Sequence, residues 1–90
     1  MFYTVFGRDN CVFCKRAVAL LEKRGKKFAY IDLEEGDNLE EMKAWVAEFT
    51  DVPPKTIPQI FAHGKYVGGF TEMAALPDLQ EEIVLFGGDL

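Results

Sequence analysis

The sequence has only two cysteines and a single histidine, and no apolar run is long enough to cross a bilayer. A structural zinc site takes four side-chain ligands, and one cysteine pair with His63 falls short of that number. No secretory signal is evident, because the chain starts with a strand-like run rather than a charged region and a long apolar segment. We therefore expect a cytoplasmic protein that is not bound to membranes.

Positive charge is also scarce, since ten Lys and Arg residues stand against fifteen Asp and Glu residues, for a net charge of −5. This balance argues against a protein that binds nucleic acid or anionic membranes. The length of 90 residues leaves room for one hydrophobic core, so we expect a single domain over residues 1–90. Aromatic residues make up 13% of the chain and supply large side chains for that core.

Both cysteines lie in one short stretch, Cys11-Val12-Phe13-Cys14. The stretch follows a strand-like run and opens a helix-like segment. A thiol at that point lies among unpaired backbone N–H groups, at the positive end of the helix dipole. This environment favours the thiolate, which is the nucleophilic form of cysteine. Because the second thiol is within reach to close a disulfide on the first, the stretch is a candidate redox dithiol.

Three other interpretations of the cysteine pair stay open. A zinc site would need ligands that the sequence does not supply in number. A structural disulfide across so small a loop would gain little chain entropy, and a cytosolic compartment would keep it reduced. Two buried, unreactive cysteines are also compatible with the sequence, since free cysteine is common in protein cores.

The apolar pattern predicts alternating strands and helices. Strands are expected at residues 2–6, 28–33, 59–62 and 66–68. Helices are expected from Lys15 to Gly25, from Asn38 onward and from Thr71 onward. A strand–helix–strand unit of this length implies that the first two strands are parallel, with a right-handed crossover. The segment His63-Gly64-Lys65 predicts a hairpin turn between the last two strands.

The predicted helices have apolar faces at helical spacing. These faces comprise Cys14, Ala17, Val18 and Leu21 in the first helix, and Leu39, Met42, Val46 and Phe49 in the second. Trp45 flanks the second face, so we expect it in the core with a partly exposed edge.

Several residues predict where the helices begin and end. Gly25 predicts the end of the first helix. Asn38 with Glu41 predicts a capping box for the second, and Thr71 predicts an N-cap for the third. Pro77 should end the third helix. A final turn that packs back on the core is expected from Leu79, Ile83 and Phe86.

Three motifs spaced along most of the chain together resemble the glutaredoxins, in particular the small dithiol proteins of bacteria and their phages. The motifs are Phe6-Gly7-Arg8 leading into Cys11-Val12-Phe13-Cys14, then Thr56-Ile57-Pro58-Gln59-Ile60-Phe61, then Gly68-Gly69-Phe70-Thr71-Glu72. The resemblance implies an α/β protein with the thioredoxin fold. In that fold a four-stranded mixed sheet is flanked by three or four helices, in the order β-α-β-α-β-β-α.

The resemblance also implies an activity and a set of site residues. The protein would be a glutathione-dependent thiol–disulfide oxidoreductase that reduces protein disulfides and glutathione mixed disulfides, with ribonucleotide reductase as a potential protein substrate. Cys11 would be the nucleophile, Cys14 the resolving thiol, and Arg8 a stabiliser of the thiolate. The residues implied to bind glutathione are Arg8, Phe13, Thr56, Ile57, Pro58, Gly69, Phe70, Thr71 and Glu72. Pro58 would follow a cis peptide bond and face the dithiol. The protein would act as a monomer, and no metal cofactor is expected.

The sequence departs from the family pattern between the cysteines, where Val12-Phe13 replaces the common Pro-Tyr. Phe13 keeps a flat apolar wall but lacks the hydroxyl, and Glu72 stands where the family often has Asp. Some glutaredoxins without that proline hold an iron–sulfur cluster between two chains, so a cluster-binding protein is an alternative. A protein reduced by thioredoxin reductase is a second alternative, although the Gly-Gly-Phe-Thr-Glu motif favours glutathione.

Overall fold

The computed structural model describes residues 2–77, which form four strands and three helices. In chain order these elements are β1 (Phe2–Gly7), α1 (Val12–Lys23), β2 (Lys27–Asp32), α2 (Asn38–Ala47), β3 (Gln59–Ala62), β4 (Lys65–Gly68) and α3 (Phe70–Ala74). The final turn that was expected from Leu79, Ile83 and Phe86 lies outside the described residues.

The strands form one mixed sheet in the order β2-β1-β3-β4. Strand β1 pairs with β2 in parallel and with β3 in antiparallel orientation, and β3 pairs with β4 in antiparallel orientation. Because β1 is central and covered on both faces, all of its residues from Tyr3 to Gly7 are buried. The predicted thioredoxin fold and its order of elements are confirmed.

Neighbouring residues of the central strands point to opposite faces of the sheet, so they belong to two separate cores. On one face, α1 and α3 pack on the sheet through a cluster formed by Tyr3, Val5, Ala17, Leu21, Ile60 and Met73. On the other face, α2 packs through a cluster formed by Phe6, Leu33, Met42, Val46 and Phe61. Trp45 is half-buried and packs edge-on against Phe6 and Phe61, with ring centroids 5.1 Å apart in both pairs. This matches its predicted place in the core.

Helix α1 begins three residues earlier than the sequence predicted, at Val12 rather than Lys15. Cys11 is its N-cap, and the Cys11 sulfur accepts a hydrogen bond from a backbone amide of the first turn. The helix ends at Lys23 with Arg24 as its C-cap, and Gly25, which was predicted to end it, follows directly with a φ of +68°. There the N–H groups of Gly25 and Lys26 donate to carbonyls of the last turn, a termination that favours glycine. Val18, predicted to be buried, is only half-buried.

Helix α2 does not have the capping box that the sequence predicted. Its N-cap is Asp37, and the Asn38 side chain instead donates to the backbone oxygen of Asp32 at 2.9 Å. Asn38 is therefore the first residue of the helix rather than its N-cap, and its side chain ties the helix to the end of β2. Phe49, predicted on the apolar face of α2, lies beyond the end of the helix and is about half exposed.

The hairpin between β3 and β4 is confirmed and turns at His63 and Gly64, which both have positive φ values, 53° and 76°. Two successive residues with positive φ are typical of the tight turn that matches the twist of a hairpin. None of the helices within residues 2–77 has the length and apolar character needed to cross a membrane.

Helix α3 begins at Phe70 with Gly69 as its N-cap, so the prediction of Thr71 as the N-cap is wrong. Thr71 is the second residue of the helix and is exposed. The turn into the helix depends on Gly68, whose φ is +123° and where a Cβ atom would lie 3.0 Å from Cγ of Glu72. Glycine adopts this backbone conformation without a steric penalty.

Candidate active site

The two cysteines lie at the end of β1, where the chain turns into α1. They are joined as a disulfide, with their Cα atoms 5.1 Å apart, so the structure shows the oxidised form of the pair. Cys14 is on the buried face of α1 and is completely inaccessible, whereas Cys11 at the N-cap is partly exposed. The two sulfurs therefore differ in their access to a partner molecule.

The Cys11 sulfur lies among backbone polar groups. The N–H of Cys14 donates to Cys11 Sγ at 3.1 Å, and the carbonyl oxygen of Ile57 lies 3.8 Å from the same sulfur. An N–H group aimed at the sulfur stabilises the thiolate more than the neutral thiol. The bond between Ile57 and Pro58 is cis, as the family resemblance implied, and it brings this loop beside the dithiol.

A groove with a volume of about 280 Å³ lies beside the dithiol, between the start of α1, the loop before β3 and the start of α3. It is lined by Phe13, Thr56, Ile57, Pro58, Gly69, Phe70, Thr71 and Glu72. We call this the substrate groove. It brings together every residue that the resemblance implied for glutathione binding except Arg8.

Arg8 lies instead in an adjoining hollow of about 250 Å³, which shares Thr56 and Ile57 with the substrate groove. Two lysines, Lys43 on α2 and Lys55 in the proline-rich loop, line the same hollow. Sequence analysis did not identify these lysines. Lys55 could have been found from its position next to Thr56, but Lys43 reaches the site only through the packing of α2.

Two phenylalanines form an apolar rim at the mouth of the groove. The rings of Phe13 and Phe70 lie with centroids 5.9 Å apart, and the Arg16 guanidinium lies 5.1 Å from the Phe13 ring centroid. Phe13 is 49% exposed and Val12 is 63% exposed, so the residues between the cysteines present apolar surface to a partner.

A buried glutamine supports the loop that forms one wall of the groove. Gln59 is only 3% exposed, and its side-chain amide donates to the backbone oxygen of Thr56 at 2.8 Å. The Tyr66 hydroxyl donates to the Gln59 side-chain oxygen at 2.5 Å. Burial, and then the Glu72 carboxylate, raise the pKa of Tyr66, so its hydroxyl remains a donor. Sequence analysis gave Gln59 no role beyond its place in the motif.

Comparison with known proteins gives a consistent assignment. The family model for glutaredoxin matches residues 3–67. The chain belongs to the glutaredoxin family. A glutaredoxin of Haemophilus influenzae is 38% identical over 90 residues, which cover 93% of this chain and 99% of that protein. Glutaredoxin 1 of Salmonella typhimurium is 37% identical over 81 residues, covering 83% of this chain and 88% of that protein.

Solved structures agree with the assignment. The structure of reduced Escherichia coli glutaredoxin superposes with a TM-score of 0.67 and 32% identity, covering 83% of this chain and 91% of that one. This glutaredoxin is a thiol–disulfide oxidoreductase whose redox centre is the Cys11–Cys14 pair. With the two sulfurs bonded to each other, the pair is in the state that follows the reduction of a substrate disulfide.

Proposed function

We propose that this glutaredoxin uses glutathione as its reductant and reduces both protein disulfides and mixed disulfides of glutathione. The observation that carries the proposal is the substrate groove, which joins three sequence-distant segments beside the dithiol. We further propose that it works in the cytoplasm as a monomer, with ribonucleotide reductase as a candidate protein substrate.

In the proposed reaction the two cysteines have different roles. The Cys11 thiolate attacks the substrate disulfide, forms a mixed disulfide and releases one substrate sulfur as a thiolate. For protein disulfides, Cys14 then attacks Cys11 Sγ, which releases the second substrate sulfur and leaves the Cys11–Cys14 disulfide. The partial exposure of Cys11 and the complete burial of Cys14 support this order. The amide of Cys14 that donates to Cys11 Sγ supports the thiolate, and Arg8 would add positive charge.

Glutathione would lie along the groove with its two charged ends in different surroundings. Its cysteinyl backbone would pair with the backbone of Ile57, as an added strand does. Its glycyl carboxylate would point to the hollow that holds Arg8, Lys43 and Lys55. Its zwitterionic glutamyl end would lie at the start of α3, near the negative charge of Glu72. Negative charge in the groove and positive charge in the adjoining hollow support a tripeptide that carries charge at both ends.

The test compares two mixed disulfides of the same small thiol, one with glutathione and one with 2-mercaptoethanol. Both offer the same kind of sulfur to Cys11, but only the first can fill the groove. We expect a value of kcat/KM at least tenfold higher for the glutathione compound, which corresponds to about 1.4 kcal/mol. Equal values for the two compounds would contradict the proposal.

A variant of the groove provides the control. A Cβ atom on Gly69 would lie 3.3 Å from a Glu72 carboxylate oxygen and 3.6 Å from the carbonyl oxygen of Pro58, and would narrow the groove. The backbone of Gly69 has a φ of −97°, which alanine adopts without strain. Gly69→Ala should therefore lower the preference for the glutathione compound and leave the slower reaction with the 2-mercaptoethanol compound unchanged.

A further inference from the structure

A second cavity, of about 510 Å³, lies between α1 and β2. It reaches Cys14, and its wall includes Tyr30 from β2 and Arg8 and Asp9 from the loop after β1. Of the residues that line this cavity, only Arg8 also belongs to the proposed glutathione site, and the sequence motifs assign no role to Tyr30. The cavity forms part of the surroundings of the resolving cysteine, Cys14.

Tyr30 bridges from β2 to the loop that precedes Cys11. Its hydroxyl donates a hydrogen bond to the backbone oxygen of Arg8 at 3.0 Å. Burial, and then the carboxylates of Asp9 and Asp32, raise the pKa of Tyr30, so the hydroxyl stays protonated and remains a donor. The bond ties the loop before Cys11 to β2.

The same hydroxyl and the Cys14 sulfur both lie close to Gly7. A Cβ atom on Gly7 would lie 2.6 Å from the Tyr30 hydroxyl oxygen and 2.7 Å from Cys14 Sγ. Both groups thus occupy the space that a side chain at Gly7 would take. Gly7 itself is buried in β1.

We propose that Tyr30 is a positioning residue for the resolving step, because its hydroxyl holds the loop before Cys11 and confines the Cys14 sulfur above Gly7. In the resolving step, Cys14 Sγ must approach Cys11 Sγ in line with the bond between Cys11 Sγ and the substrate sulfur, which breaks. Such intramolecular steps are sensitive to geometry, and a displacement of about 1 Å can slow them about 100-fold. Attack by Cys11 on an incoming disulfide does not need Cys14 in place, so it should not depend on Tyr30.

The two steps can be separated with a symmetrical nitrobenzoate disulfide whose released thiolate is coloured. Reduced protein is mixed with one equivalent of the reagent, which is the oxidant. Attack by Cys11 forms a mixed disulfide and releases the first coloured thiolate, at a rate that depends on reagent concentration. Attack by Cys14 on Cys11 Sγ then closes the disulfide and releases the second, at a rate independent of reagent concentration. No glutathione is present, so the result does not depend on the proposed glutathione site.

Tyr30→Phe removes only the hydroxyl. We expect the second phase to slow by about threefold to tenfold, the effect of one lost hydrogen bond, while the first phase stays within about twofold of wild type. In a Cys14→Ser background, where only the first phase remains, Tyr30→Phe should have no effect. Tyr3→Phe is the matched control, because it removes a tyrosine hydroxyl near the start of β1, four residues before Gly7, and should leave the ratio of the two rates unchanged.

A purely structural role for Tyr30 would give a different pattern. Partial unfolding adds a separate population whose exposed thiols also react with the reagent, and it leaves the ratio of the two rates of the folded population unchanged. An unchanged second phase, an equal slowing of both phases, or the same change in the ratio for Tyr3→Phe would each overturn the proposal.

Discussion

The Glu72 carboxylate accepts a hydrogen bond from the backbone N–H of Gly69 at 2.8 Å. The side chain that faces the substrate groove is therefore also the side chain that holds the first turn of α3. A carboxylate fixed in this way adds negative charge to the groove at a set position, and no side-chain freedom has to be lost when a ligand binds.

The first prediction separates the charge of Glu72 from its hydrogen bond. In Glu72→Gln the amide oxygen can still accept the N–H of Gly69, so the free energy of unfolding should fall by less than about 1 kcal/mol. The charge is lost, so the dependence of turnover on glutathione concentration should weaken. Urea melts and glutathione titrations of the two proteins measure both effects. Unaltered glutathione dependence would remove Glu72 from the site.

Thr71→Ala tests a second, uncharged residue of the groove in the same experiment. Because Thr71 is exposed and is not the N-cap, its loss should change the free energy of unfolding by no more than about 0.5 kcal/mol. Its hydroxyl lies in the groove wall, so an effect on glutathione dependence is expected without an effect on stability.

The second prediction concerns Arg24, whose guanidinium links the end of α1 to the end of α3. It donates to the backbone oxygens of Ala74 and Leu76 at 3.2 Å and 3.3 Å. Arg24→Ala should lower the free energy of unfolding by about 1–3 kcal/mol, because two hydrogen bonds from a charged group are lost. Lys23→Ala, at an exposed neighbouring position, should have a much smaller effect in the same urea melts. Equal effects of the two substitutions would show that the link does not stabilise the fold.

The Arg24 link illustrates what the sequence could not predict. The spacing of apolar residues and the positions of glycine and cysteine are local signals. From them the strands and most of the helices were predicted correctly. The bond from Arg24 to Leu76 joins residues 52 positions apart, and the bond from Asn38 to Asp32 competes with a local cap. Which backbone group such a side chain bonds to depends on which groups lie close to it in the folded chain. A local sequence motif therefore cannot predict these hydrogen bonds.

As with the fold, the sequence predicted the parts of the site that depend on local motifs and missed those that depend on contacts between elements. The motifs named the residues that line the substrate groove, because each motif occupies one wall. They did not reveal Lys43, which lies far from them in sequence, or the support that Gln59 gives to Thr56. These contributions come from packing between elements.

The third prediction follows from the raised pKa of Tyr66, which results first from burial and then from Glu72. Above the ordinary pKa of about 10, the unfolded chain loses the phenol proton while the folded chain keeps it. The folded state then binds more protons, so the free energy of unfolding should fall as pH rises from about 10 through the folded pKa. Tyr66→Phe should show a shallower decline in urea melts over this range. Parallel declines in the two proteins would contradict the assignment.

The fourth prediction concerns the reduced protein and the charges beside Cys11. The N–H of Cys14 that points at Cys11 Sγ should hold the pKa of the Cys11 thiol below its ordinary value. Arg8→Ala should raise that pKa, and Asp9→Asn should lower it, because each changes the charge near the sulfur. The rate of alkylation as a function of pH measures the pKa in each protein. If both variants titrate as wild type does, the backbone at the helix start sets the thiolate alone.

The last prediction assigns the two sulfurs their roles by removing each in turn. Cys11→Ser should abolish all thiol exchange, because the other sulfur, Cys14, is completely buried and cannot reach a substrate disulfide. Cys14→Ser should keep the reduction of glutathione mixed disulfides, since free glutathione can attack the mixed disulfide on Cys11 in place of Cys14. The same variant should lose most of its reduction of protein disulfides, where an internal thiol is needed to release the substrate. Parallel assays on a small glutathione mixed disulfide and on a protein disulfide distinguish these cases. If Cys14→Ser lost both activities to the same degree, Cys14 would be needed for the first attack as well, and the proposed division between the two cysteines would be wrong.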